Sequence, residues 1–79
     1  MYPLLIEAKA ISSLKLELIY KNGEKRIIDM ERYMISDFFR QLKNWEYFKQ
    51  VKVKGEVVVW PNEQDIAPET LYLDSEPIN

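Results

Sequence analysis

The chain has no cysteine and no histidine, only two glycines, and not one lysine or arginine after Lys54. Without cysteine, no disulfide or thiolate-bound metal staples the fold. Without histidine and cysteine, the commonest general base, the thiol nucleophile and the usual zinc ligands are missing together. Ser12, Ser13, Ser36 and Ser75 have no activating base near them in sequence. A pair of carboxylates would need a cleft that shifts one pKa, and 79 residues seldom build one. These absences point to a protein that is not an enzyme and carries no cofactor. No apolar run approaches the roughly 18 residues of a membrane span. The N-terminus lacks a signal-peptide layout, so a soluble, cytoplasmic protein of bacterial style is expected.

The composition is 47% hydrophobic and 13% aromatic, enough for one core and far from that of a disordered chain. At this length two cores would each be too small to hold together. Residues 1–73 therefore read as a single domain and residues 74–79 as a flexible C-terminal tail. Net charge is −2 but unevenly placed. Residues 1–54 hold all 11 bases against seven acids; Glu56, Glu63, Asp65, Glu69, Asp74 and Glu76 follow without a base. Such asymmetry marks either an interaction surface or a solvated end.

Residues 4–9 form a short, mostly apolar run after Pro3, consistent with a first strand. Leu14, Leu16, Leu18 and Tyr20 then alternate with Lys15 and Glu17, which predicts a second strand with one face inward. Asn22-Gly23 follows as a hairpin signal, both residues tolerating positive φ, and residues 25–30 return. From Ser36 the period changes. Phe38, Leu42 and Trp45, with Phe39 beside them, make a helical stripe behind Ser36 as N-cap and Asp37 in the first turn. Asn44 either ends that helix or caps a further turn carrying Trp45 and Phe48. Residues 51–54 and 56–60 read as a second hairpin about Gly55, ended by Pro61. Pro68 suits the first position of a helical turn through Tyr72. The expected fold is α+β: an antiparallel sheet of about five strands (two hairpins plus an N-terminal strand) with one helix packed on a face. Its order is β-β-β-α-β-β with a short closing helical turn.

Glu63, Asp65 and Glu69 lack the spacing and turn glycine of a calcium loop, so no metal site is assigned. Asp65 fits an Asx-type turn and Glu69 the first turn of a helix. Arg40, Lys43, Lys49, Lys52 and Lys54 surround Tyr47 in a basic zone. Nucleic-acid binding by a small sheet needs such bases interleaved with exposed aromatics. Trp45, Phe48 and Trp60 have apolar neighbours that assign them to the core, and lysines alternating with valines also describe a protected edge strand. Trp60, ending a valine strand, reads as a core plug rather than a recognition patch.

The stretches LELIYKNGE (residues 16–24) leading to Asp29, Leu42 with Phe48, and above all WPNEQDIAPETLY (residues 60–72) carry a resemblance. Across residues 4–72 the chain resembles the small bacterial family called domain of unknown function 2442. Two positions depart from that family: Glu63 stands where glycine is usual, and Ala67 where a polar cap is common. The resemblance implies an α+β domain with no known catalytic residues, so no site residues carry over. It also implies a partner, because members are often encoded beside a small protein of the domain of unknown function 4160 family, in pairs that look like toxin–antitoxin modules. Some relatives add a helix-turn-helix segment, which these 79 residues do not contain.

The expectation is a protein-interaction module, antitoxin-like, that uses Glu63, Asp65, Glu69, Asp74 and Glu76 to dock a small basic protein encoded beside it. The alternatives are a nucleic-acid accessory protein using Lys49, Lys52 and Lys54, or a homodimer formed by edge-strand pairing.

Overall fold

The computed structural model describes residues 2–78. In chain order the strands and helices are β1 (Leu5–Ser12), β2 (Lys15–Tyr20), β3 (Lys25–Asp29), α1 (Asp37–Arg40), α2 (Trp45–Phe48), β4 (Lys52–Lys54), β5 (Val57–Val59), β6 (Asp65–Ile66), α3 (Pro68–Asp74) and β7 (Glu76–Pro77). Two 3-10 turns, Met30–Tyr33 and Gln41–Lys43, complete the middle of the chain. The α+β class holds, but the strands form two antiparallel sheets instead of one. One has the order β1-β2-β3-β7 and the other β4-β5-β6. β4 runs close beside β1 without a ladder between them, so the neighbouring segment already occupies the β1 flank.

The alternation in β2 decides its register. Leu16, Leu18 and Tyr20 point inward and are buried, opposite Ala10, Ala8 and Leu5 on β1. Ile28 stands opposite Leu16 from β3. β1 carries register shifts after Leu5 and after Ala10, and the extra residues Ile6 and Ile11 are left exposed. A bulge lodges one residue outside the ladder, which is how β1 reaches Ser12 while keeping its alanines inward. The turn after β2 differs from the expected one. Only Gly23 adopts positive φ, at +94°. Asn22 instead accepts the Glu24 amide at 3.0 Å through its side chain, and the loop closes with Tyr20 N–H on Glu24 O at 2.9 Å. An Asx bond organises this four-residue loop where two left-handed residues were anticipated.

The single helix expected after Ser36 is broken. α1 passes into a 3-10 turn, and Asn44 then takes extended backbone (φ −78°, ψ 113°) and caps α2 by accepting the Glu46 amide at 3.0 Å. Ser36 occupies the N-cap position of α1 but makes no side-chain cap bond. The 3-10 tightening and the extended residue destroy the 3.6-residue period. The anticipated stripe therefore does not share one face. Leu42 and Phe48 are buried, whereas Phe38 is 53% and Trp45 40% exposed.

In the second sheet Gly55 turns at φ +67°, and Val58 faces the core while Val57 and Val59 are half-buried on the other side. β6 makes β5 the central strand. α3 begins at Pro68 behind Ala67, which has the right backbone for a cap but no side-chain oxygen to offer. The core is one cluster drawn from both sheets and from α3, with Leu16, Leu18, Ile28, Met30, Leu42, Phe48, Val58 and Leu71 at its centre.

Residues 74–79 were expected as a flexible tail, and the structure corrects this as far as residue 78; residue 79 lies outside the described part. Asp74 ends α3, Ser75 is buried, and Glu76–Pro77 pairs with Ile27 and Arg26 of β3. Arg26 makes the attachment. Its Nε donates to Ser75 Oγ at 2.7 Å and its Nη2 to the Ser75 carbonyl at 2.8 Å. The guanidinium also lies 4.1 Å from the centre of the Tyr72 ring and pairs with Glu24 at 3.1 Å. Hydrogen bonding from Asn22, with help from Tyr72 and Arg26, holds the Glu24 carboxyl below its usual range. The Tyr72 phenol moves up because it donates to Glu24.

Beside this clasp, the buried Tyr20 hydroxyl finds no hydrogen-bond partner among the described residues. Burial pushes its pKa up to about 12 despite the nearby Arg26. An unpaired buried hydroxyl costs stability, so Tyr20→Phe is expected to leave the fold as stable or to stabilise it by up to about 1 kcal/mol. Urea denaturation checks this; a loss larger than that would mean the hydroxyl is engaged in solution.

Candidate interaction surface

The strand β5 runs into Trp60, whose indole is 3% exposed. Its Nε1 donates to the Phe48 carbonyl at 2.8 Å and its ring stacks on Phe48, with centroids 5.8 Å apart and planes at 19°. Trp60 is thus a core plug that also satisfies a carbonyl at the end of α2. Pro61 ends the ladder, and the chain reverses within a tight loop. Glu63 N–H bonds Trp60 O at 2.9 Å and Trp60 N–H bonds Gln64 O at 3.0 Å.

Glu63 holds the left-handed conformation of this loop, with φ +70°. That conformation costs a residue with a Cβ roughly 1–2 kcal/mol and costs glycine little. After the greater freedom of unfolded glycine is counted, Glu63→Gly is expected to stabilise the protein by about 0.5–1 kcal/mol. Thermal unfolding of the variant checks this, and an unchanged or lower midpoint would show that the loop is relaxed with glutamate.

Gln64 is the residue that the sequence reading missed. It is fully buried and uses both ends of its amide. Oε1 accepts from Tyr47 Oη at 2.6 Å; Nε2 donates to the Phe38 carbonyl at 2.9 Å and to Gln41 Oε1 at 3.0 Å. Asn62 adds two bonds, from its amide to Tyr47 Oη and from Nδ2 to Gln41 Oε1, each 2.8 Å. The loop is thereby fastened to the helical segment, residues 37–48, by a polar network centred on the buried Gln64. The available signal was alternation: Gln64 and Ile66 point inward while Glu63 and Asp65 point out.

The structure divides the five candidate acids. Glu63 and Asp65 line a concavity of about 370 Å³ together with Lys54, Val59, Trp60 and Pro61. Asp74 and Glu76 line a second, of about 390 Å³, with Lys15, Asp29 and Arg32. Glu69 is exposed in the first turn of α3 and lines neither. Asp74 is already engaged, accepting from Tyr33 Oη at 2.5 Å and pairing with Arg32 at 3.3 Å. Burial, then the bond to Asp74, drives the Tyr33 phenol well above its usual range. Glu63, Asp65, Glu69 and Glu76 enter no ion pair among the described residues.

On the basic side, Lys49 pairs with Glu46 at 2.9 Å, whereas Lys52 and Lys54 are exposed on one face of β4. Tyr47, expected within that zone, is half-buried with its hydroxyl committed to Gln64 and Asn62. Among the described residues no group of three acids stands close enough to hold a metal ion, and no helix is long and apolar enough to cross a membrane.

No curated protein and no solved structure matches this chain. The family model described as a protein of unknown function (DUF2442) matches residues 5–77, nearly the whole length, and the chain belongs to that family.

Proposed function

We propose that this protein is a non-enzymatic interaction module of the cytoplasm that docks a cationic protein, as the antitoxin-like half of a two-protein pair. One observation supports the reading above the others: the fold pairs its arginines and, among the described residues, leaves every late acid but Asp74 out of an ion pair. Arg26, Arg32 and Arg40 each pair with a carboxylate of the same chain. Glu63, Asp65, Glu69 and Glu76 pair with none among the described residues. Solvated carboxylates contribute little to stability, yet they accelerate encounter with a basic partner and disfavour acidic ones.

The test compares the tagged protein with a variant carrying Glu63→Gln, Asp65→Asn, Glu69→Gln and Glu76→Gln. Asp74 is left intact because it holds Tyr33 and Arg32. A stoichiometric basic protein retained from native lysate at low salt, released at high salt and lost with the variant is the expected result. Equal retention by the variant sinks the proposal. Nucleic acid alone on the column would transfer the function to the lysines of β4, and a pure dimer to a second copy of the chain.

A further inference from the structure

The concavity beside Trp60 is more specific than a general acidic surface. Its walls include Val59, Trp60 and Pro61, and its charged members are Glu63, Asp65 and Lys54. No two of these three charges form an ion pair, so two carboxylates and one ammonium line the concavity beside Val59 and Pro61. The loop carrying both carboxylates is tied through Gln64 to the carbonyl of Phe38. The hydrogen bonds of Gln64 and Asn62 hold this loop in one arrangement, which lowers the ordering cost of binding.

Resting on the reading of an acidic docking module, we propose that this concavity receives an arginine or lysine side chain of the partner. The aliphatic stem lies along Pro61 and Val59, and the cationic head reaches Glu63 and Asp65. Charge decides the occupant. Two carboxylates against one ammonium favour a cation, and the stem of a basic side chain suits an apolar wall with acids at its rim. An acidic or wholly apolar segment would leave those carboxylates unmatched.

The probe is a capped five-residue peptide alternating leucine and arginine, titrated into the ¹⁵N-labelled protein; its leucine–glutamate counterpart is the control. Amide shifts confined to residues 59–65, with movement of the Trp60 indole resonance, are expected from the arginine peptide alone. Glu63→Gln with Asp65→Asn should weaken binding about tenfold. Glu63→Gly provides a separation that a structural role cannot give. It should raise the melting temperature by about 2–6 °C while weakening the peptide. No shift at about 1 mM peptide, or shifts centred on Glu69 and Glu76, overturns the surface. A dimer dissolved by the double variant makes a second copy the occupant and overturns it as well. In the lysate experiment, loss of the partner with Glu69→Gln and Glu76→Gln, but not with Glu63→Gln and Asp65→Asn, overturns this surface and leaves the docking reading standing. Retention by both pairs overturns that reading itself.

Discussion

Trp60→Ala is expected to cost about 3–5 kcal/mol, the range for truncating a large buried aromatic. A chain of 79 residues has roughly 4–12 kcal/mol in all, so much of the population is expected to be unfolded at physiological temperature. The size of the effect follows from what the ring touches. It stacks on Phe48, which is itself fully buried, and its Nε1 is bonded to the Phe48 carbonyl. Trp60→Phe separates these contributions. Most of the stack survives and the carbonyl keeps the Val51 amide at 3.2 Å but loses the indole donor, for an expected cost of about 1 kcal/mol. Urea denaturation followed by circular dichroism measures both. Trp45, 40% exposed, remains as a fluorescent reporter in either variant. A loss below about 1 kcal/mol for Trp60→Ala would show that Trp60 is not the plug of this core.

Gln64→Met should be the second most damaging change, at about 2–4 kcal/mol. Methionine matches the length of glutamine and fills its space, so the loss is almost purely that of bonding. The Tyr47 hydroxyl loses its acceptor and the Phe38 carbonyl its donor, opposite a residue that is itself fully buried. Leaving such groups unmatched costs more than a hydrogen bond gains. Gln64→Glu gives the same argument a pH dependence. Burial raises the pKa of the introduced carboxyl above that in the unfolded chain. The protonated form can still donate, so the variant is most stable below the unfolded value near 4 and loses stability as pH rises through the folded value. Wild type has no titrating group at this position. A variant as stable at neutral pH as in acid would mean that residue 64 is solvated.

These two residues of one loop also show what could and could not be read from the chain. Trp60 was legible because β-branched residues followed by Trp-Pro define a strand, its end and a large apolar side chain at that end. At Glu63 only the family resemblance marked a position, as a departure from glycine, and the structure gives it positive φ. Gln64 was not read as buried because an amide between two acids looks solvated until its partners, 17, 23 and 26 residues away, are in place.

By itself the sequence determined the α+β class, the pairing of β2 with β3, the hairpin at Gly55, the break at Pro61 and the start of α3 at Pro68. Each is a matter of backbone preference or of a period counted over a few neighbours. Tertiary structure alone decided the division into two sheets, the broken helix with Phe38 and Trp45 outward, and the return of Glu76–Pro77 to β3. The grip of Arg26 on Ser75 spans 49 positions of the chain. Contacts of that separation leave no periodic mark on either segment, since they depend on where the core brings the two backbones together.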